Sequence, residues 1–93
     1  MSSITLKHKT YSVYLLACAG NQLYTGIALD VVKRFEQHVL GKGARFTKAN
    51  PPVEILFQQE VGSLSDALKM EYQIKQLPKA KKIPFFQVLV EQP

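Results

Sequence analysis

The stretch from Tyr11 to His38 constrains this chain more than any other. It opens as Tyr11-Ser12-Val13-Tyr14-Leu15-Leu16-Ala17-Cys18. These β-branched, aromatic and apolar residues show little helical period and read as a well-buried strand. Ala19-Gly20-Asn21-Gln22 suits a tight hairpin turn, because Gly and Asn tolerate positive φ. Leu23 to Ala28 then returns antiparallel. Gly26 weakens that strand without a packing gain, so it is expected where another backbone or a ligand comes close. Asp30 can cap a following helix, with an acid at the positive end. Val31, Val32, Phe35 and Val39 are expected on the apolar face of this helix. Arg34 and His38, four residues apart, share the neighbouring stripe. Gly41 and Gly43 are expected to end it.

At 93 residues the chain has room for one core and not two. A single domain over residues 1–93 is expected, with its core at about 11–77, a polar lead-in at 1–10 and a tail at 78–93. Ile4 and Leu6 are the only candidates for packing in the lead-in. The longest apolar run, Val13 to Ala19, is too short to span a bilayer. The first ten residues lack the apolar centre of a signal peptide, so the cytoplasm is expected. Cys18 is the only cysteine, which excludes an internal disulfide and a paired-thiol metal site; it reads as a small buried side chain.

The net charge of +5 favours polyanionic partners. Lys42, Arg45 and Lys48 cluster after the first helix, in a connection rich in Gly and Pro that also holds Phe46 and Thr47. Lys79, Lys81 and Lys82 cluster near the end and read as solvated charges. Neither group lies along one long helical face, which disfavours a basic membrane-surface helix.

Val53, Ile55 and Phe57 alternate with Glu54, Leu56 and Gln58 as a half-buried third strand, broken by Gly62. Ser63-Leu64-Ser65-Asp66 resembles a capping box with Asp in place of Glu. The helix it opens is expected to run to about Leu77, ahead of Pro78. At about 100° per residue, Leu64, Ala67, Leu68 and Ile74 form its core-facing stripe, and Glu71 falls in the middle. A carboxylate there must be paired, neutralised or bound to a cation. A salt bridge to Arg34, a backbone cap, a reach to solvent and a metal ligand all stay open on spacing alone. Phe85 to Val90 is too apolar to hang in water and is expected to pack over the sheet or against a second copy of the chain.

Ser12-Val13-Tyr14 and Tyr24-Thr25-Gly26, separated by a hairpin turn, resemble the two tripeptides that name the GIY-YIG nuclease family. The similarity continues through Ile27, Asp30, Arg34, His38 and Gly41-Lys42-Gly43-Ala44-Arg45-Phe46-Thr47, and resumes from Ala67 to Lys75. It covers roughly Tyr11 to Leu77 and looks closest to the small stand-alone bacterial branch. Either tripeptide alone is a weak signal. The ordered set, with an arginine after Tyr24 and a glutamate on a later helix, is a strong one. Two departures stand out. Many relatives carry a basic residue after the glycine of the second tripeptide, where this chain has Ile27. Many also carry an Asn after the glutamate helix, where this chain has Lys79-Ala80-Lys81-Lys82.

The resemblance implies an α/β (α+β) fold, a three-stranded mainly antiparallel sheet flanked by helices. It implies metal-dependent hydrolysis of phosphodiester bonds of DNA by an endonuclease, leaving a 5′ phosphate and a 3′ hydroxyl. Glu71 matches the family's metal-binding carboxylate, for one Mg²⁺ or Mn²⁺ held largely through water. Arg34 matches the arginine that meets transition-state charge. Tyr24 matches a tyrosine proposed as general base, although a phenol titrating near 10 is a poor base at pH 7. His38 falls where the family carries Tyr or His, and imidazole titrates in the useful range, so His38 is ranked above Tyr24 as proton acceptor. Tyr14 is assigned to positioning phosphate or water. Gly26, Lys42, Arg45, Phe46 and Lys48 are the candidate nucleic-acid contacts, with Phe46 available to stack on a base. The expected partner is DNA, with branched and single-stranded forms and RNA all open and no membrane partner. Two rival readings are a nucleic-acid-binding module without catalysis and an interaction domain dimerising through the C-terminal apolar tail.

Overall fold

Tyr11–Cys18 forms the central strand, β1, in the computed structural model, which describes residues 9–91. The packing expected of Ile4 and Leu6 lies outside the described residues. A 3-10 turn at Ala19–Asn21 follows, with Gly20 at φ 72° and Asn21 at φ 58°, the left-handed pair that the hairpin needs. Strand β2 (Gln22–Ala28) returns antiparallel, and helix α1 (Val31–Val39) starts where the Asp30 carboxylate accepts the Lys33 amide at 3.0 Å. A short helix α2 (Arg45–Ala49), unforeseen in the Gly- and Pro-rich connection, precedes strand β3 (Pro52–Gly62). Helix α3 (Leu64–Gln76) is opened by Ser63, whose hydroxyl accepts the Asp66 amide at 3.1 Å. Helix α4 (Lys79–Glu91) closes the chain.

The sheet order is β2-β1-β3, with both pairings antiparallel. Because side chains alternate along a strand, β1 divides its residues between two buried layers. Val13 and Leu15 join Ile74 and Phe86 on one face, whereas Tyr14, Leu16 and Cys18 join Val31 on the other. Cys18 is free and buried, and burial raises its thiol pKa.

Two helical faces differ from the sequence expectation. Leu64 and Leu68 are 47% and 46% exposed, and α3 instead buries Ala67, Ile74 and the flank of Met70. This rotation moves Glu71 from the middle of the apolar stripe to its edge, where the carboxylate is only partly buried. Similarly, Val32 and Val39 of α1 are 54% and 53% exposed, while Val31, Phe35 and His38 face inward. The reason is tertiary: α1 turns toward the sheet the side that can hydrogen-bond Tyr14, and the two valines on its other side take the solvent.

The tail belongs to the core. Phe86 is fully buried and stacks on Phe57 with centroids 5.6 Å apart, while Phe85 and Leu89 pack beside it. Pro84 cannot donate a backbone hydrogen bond within α4, yet this aromatic anchoring keeps the helix in place. Lys79 and Lys82 are not plain solvated charges: Lys79 donates to the Asn21 carbonyl, and Lys82 donates to the Ile74 carbonyl at 2.9 Å. The latter closes the carbonyl end of α3 with a cation. Among the described residues no helix is long and apolar enough to cross a membrane.

Candidate active site

Register places the first group. Tyr14 of β1 stands opposite Gly26 of β2, and a Cβ at Gly26 would lie 2.6 Å from the Tyr14 ring carbon Cζ. Gly26 is therefore bare to make room for a side chain, rather than for a backbone or a ligand. Gly26 is also buried, so its contribution to the site runs through Tyr14.

Helix α1 supplies the next two groups. The Tyr14 hydroxyl lies 3.0 Å from His38 Nε2, and the Arg34 charge acts on the same phenol. Arg34 in turn donates from Nη1 to Gln37 Oε1 at 3.0 Å. His38 Nδ1 lies 2.7 Å from the Thr47 hydroxyl of α2, which donates to the Ala44 carbonyl at 2.9 Å. Tyr14 and His38 are each only 1% exposed. Both ring nitrogens of His38 are thus committed inside the protein, and the imidazole cannot itself meet a water at the surface. Gly43 does more than follow the helix end, since a Cβ there would lie 2.7 Å from His38 Cγ and Cε1. Gly41, at φ 77°, supplies the left-handed residue after α1.

Burial pushes the Tyr14 phenol up to about 12; the nearby Tyr24 hydroxyl adds to the rise, Arg34 opposes it, and Glu71 adds a little more. Burial, followed by the Arg34 charge, holds His38 below its ordinary 6.5. The Tyr14 and Tyr24 rings lie 6.4 Å apart.

Tyr24 is the half-buried tyrosine of the group. Its ring meets His38 edge-on at 5.1 Å and stacks on Phe46 at 5.8 Å. One face of Phe46 is therefore already occupied, although the ring is 37% exposed. The Tyr24 hydroxyl makes no hydrogen bond among the described residues, unlike that of Tyr14. Lys42, Arg45 and Lys48 lie exposed on the segment that carries Phe46. Beside Arg34 a cleft of about 360 Å³ is lined by Ala28, Leu29, Asp30, Lys33, Arg34 and Gln37.

Helix α3 packs on β2 and β1 and brings Glu71 and Lys75 to the same place. Lys75 Nζ is 3.4 Å from Glu71 Oε2 and 5.8 Å from the centre of the Tyr24 ring. The salt bridge of Glu71 is thus to Lys75 and not to Arg34. Ile27 packs into the Val13–Leu15 layer, away from Tyr24, so Lys75 stands as the cation beside this tyrosine. Lys75 and Thr47 are the two site residues that the sequence reading passed over. The first was hidden in an ordinary i,i+4 pair and the second in a connection with no helical signal.

No group of three or more His, Cys, Asp or Glu side chains that could hold a metal ion occurs among the described residues. A lone, partly exposed carboxylate does not make a protein cage. It fits a hard cation such as Mg²⁺ that keeps most of its water shell and binds through one or two carboxylates plus phosphate oxygens.

The three-stranded antiparallel sheet flanked by helices makes this an α+β domain, the class of fold that the comparisons with known proteins also return. The model of the GIY-YIG catalytic domain matches residues 10–83, and the chain belongs to the GIY-YIG family of nucleases. Its relatives are UPF0213 proteins, a small branch of that family. The one from Cupriavidus pinatubonensis is 45% identical over 85 residues, covering 91% of this chain and 93% of the relative. One from Staphylococcus aureus is 42% identical over 74 residues, covering 80% and 90%. The solution NMR structure of a UPF0213 protein from Bacillus halodurans matches with a TM-score of 0.54 and 32% identity, over 85% of this chain and 84% of that one.

Proposed function

We propose that the protein is a divalent-metal-dependent endonuclease that hydrolyses DNA, leaving a 5′ phosphate and a 3′ hydroxyl. The observation that carries this reading is the clustering of the Tyr14 and Tyr24 rings, 6.4 Å apart, with Arg34 on α1 and with the Glu71–Lys75 pair, whose ammonium lies 5.8 Å from the Tyr24 ring centre. Phosphodiester hydrolysis needs an oriented water, neutralisation of the developing phosphoryl charge and a stabilised leaving oxygen. This chain has a group for each of the first two and a carboxylate that would hold an ion.

Tyr24 orients the attacking water, since its hydroxyl is the free one on the accessible side. As the water oxygen bonds to phosphorus, Tyr24 takes its proton while releasing its own to solvent, the bond to the 3′ oxygen breaks, and that oxygen takes a proton from solvent and leaves as a hydroxyl. Arg34, steadied by Gln37, meets the extra negative charge with a planar fork of donors. Glu71 would hold the Mg²⁺ or Mn²⁺, which when bound supplies Lewis-acid stabilisation of the phosphoryl oxygens. Tyr14 and His38 act from beneath as positioning residues, which reverses the ranking of His38 over Tyr24. Lys42, Arg45 and Lys48 follow the phosphate backbone, and the exposed face of Phe46 is open to a base.

A domain of this size offers little surface for base readout, so selection by DNA structure is expected over selection by sequence. The test is a cleavage panel of single-stranded, duplex, nicked and branched DNA, with matching RNA, in Mg²⁺ and Mn²⁺. Metal-dependent nicking abolished by Glu71→Ala and by Arg34→Ala supports the reading. Wild-type cleavage by Glu71→Ala sinks it, and salt-dependent binding with no cleavage on any substrate replaces it with a binding module.

A further inference from the structure

We infer that Thr47 is a positioning residue that selects the tautomer of His38 and, through Tyr14, sets where the Arg34 guanidinium sits. The catalytic consequence rests on the nuclease reading; the tautomer does not.

The argument is a count of hydrogens. Thr47 is 1% exposed, and its Oγ1 is 2.9 Å from the Ala44 carbonyl oxygen and 2.7 Å from His38 Nδ1. A hydroxyl has one hydrogen and a carbonyl can only accept, so that hydrogen belongs to Ala44. Oγ1 then faces His38 with a lone pair, and Nδ1 must carry the ring hydrogen. A neutral imidazole has only one, which leaves Nε2 as the acceptor 3.0 Å from the Tyr14 hydroxyl. Tyr14 donates to His38, and its oxygen is free to accept from Arg34. Every hydrogen in the row points inward, from Arg34 through Tyr14, His38 and Thr47 to the Ala44 carbonyl.

The other tautomer breaks the row. With the hydrogen on Nε2, Tyr14 receives from His38 and its own hydrogen is turned toward a guanidinium that has no acceptor. A buried donor is then left unsatisfied with its positive end toward the Arg34 charge, which displaces the guanidinium. Gly43 keeps the ring where this exchange works, because its missing side chain is the space that the His38 ring fills. Thr47 thus acts on an arginine it does not contact, through two buried side chains.

The test is nitrogen-15 NMR of the imidazoles in the full chain, with His8→Gln to assign His38, alongside cleavage by the same proteins. The wild type is expected to show protonated Nδ1 and unprotonated Nε2. Thr47→Val, similar in shape but without an acceptor, should move the hydrogen to Nε2 and lower cleavage by about tenfold or more. Thr47→Ser should restore both. A wild type protonated at Nε2 overturns the inference whether or not any variant folds, and so does a folded Thr47→Val that keeps the wild-type tautomer. If the wild type cleaves nothing yet the tautomers behave as stated, the tautomer assignment stands and the nuclease reading fails.

Discussion

Gly26 and Tyr14 face each other across the β1–β2 ladder so closely that a single added carbon would run into the phenol. The glycine therefore sets the height of the Tyr14 hydroxyl, and with it the positions of His38 and Arg34. Gly26→Ala should destabilise the fold by ~1–3 kcal/mol through overpacking and should lower cleavage. In a Tyr14→Ala background the same substitution should cost much less, because the obstructing ring is gone. Denaturant unfolding of the four proteins measures this coupling; additive costs would show that the two residues do not collide.

The two site tyrosines should respond differently to loss of their hydroxyls. Tyr24→Phe keeps the contacts to Phe46 and His38 and removes a hydroxyl with no partner among the described residues. It should leave unfolding nearly unchanged and reduce kcat by roughly 10²–10⁴-fold. Tyr14→Phe strips His38 of its buried hydrogen-bond partner, so it should cost ~1–3 kcal/mol of stability. Equal stability losses in the two variants would contradict this division of roles.

Lys75 competes for the carboxylate that a metal would use. Lys75→Gln should therefore bind Mn²⁺ more tightly, as measured by calorimetry on the purified variant, while Glu71→Gln should lose binding. The pair itself is partly solvent-exposed, so its removal should change stability by only ~0–1 kcal/mol. Unchanged or weaker Mn²⁺ binding by Lys75→Gln would show that the ammonium does not occupy the ion's place.

Phe86 makes the C-terminal helix part of the domain. Phe86→Ala should cost ~3–5 kcal/mol, as for other buried aromatic truncations, and a chain ending at Lys82 should fail to fold as a stable monomer. A truncated chain with the full chain's melting temperature would instead mark α4 as an appendage.

Acid should weaken the fold partly through His38. Its folded pKa lies below the ordinary 6.5, owing to burial and Arg34, so the unfolded chain takes up a proton there before the folded chain does. Its contribution is present above about pH 6.5 and is lost as pH falls through the lowered folded value. Wild type should therefore lose stability between pH 7 and 5 more steeply than His38→Gln. Parallel curves for the two proteins would remove this linkage.

The sequence by itself determined the hairpin, the two side-chain caps, the extent of α3 and the membership of the nuclease family. Each is written in neighbouring residues: Gly20-Asn21 for a left-handed turn, Asp30 and Ser63 for helix starts, Pro78 after a helix end. Periodicity also led to α1 and α3, though not to α2 or α4, and it misjudged which sides of those two faced inward. Apolar spacing alone cannot weigh Val32 and Val39 against a histidine and an arginine that are owed hydrogen bonds by a buried tyrosine.

What only the tertiary structure decided is the division of labour within the site. His38 looks like accessible chemistry in a linear reading, yet the packing of α1 and α2 over β1 seals it with Tyr14 beneath Tyr24 and Arg34. Glu71 moves to an edge beside Lys75 because Met70, and not Leu68, fills the space over the sheet. Thr47 enters the site from a short helix with no periodic signal of its own. Burial and hydrogen-bond partnership arise between segments distant in the chain, so residue spacing carries the identity of these groups but not their access to solvent or to one another.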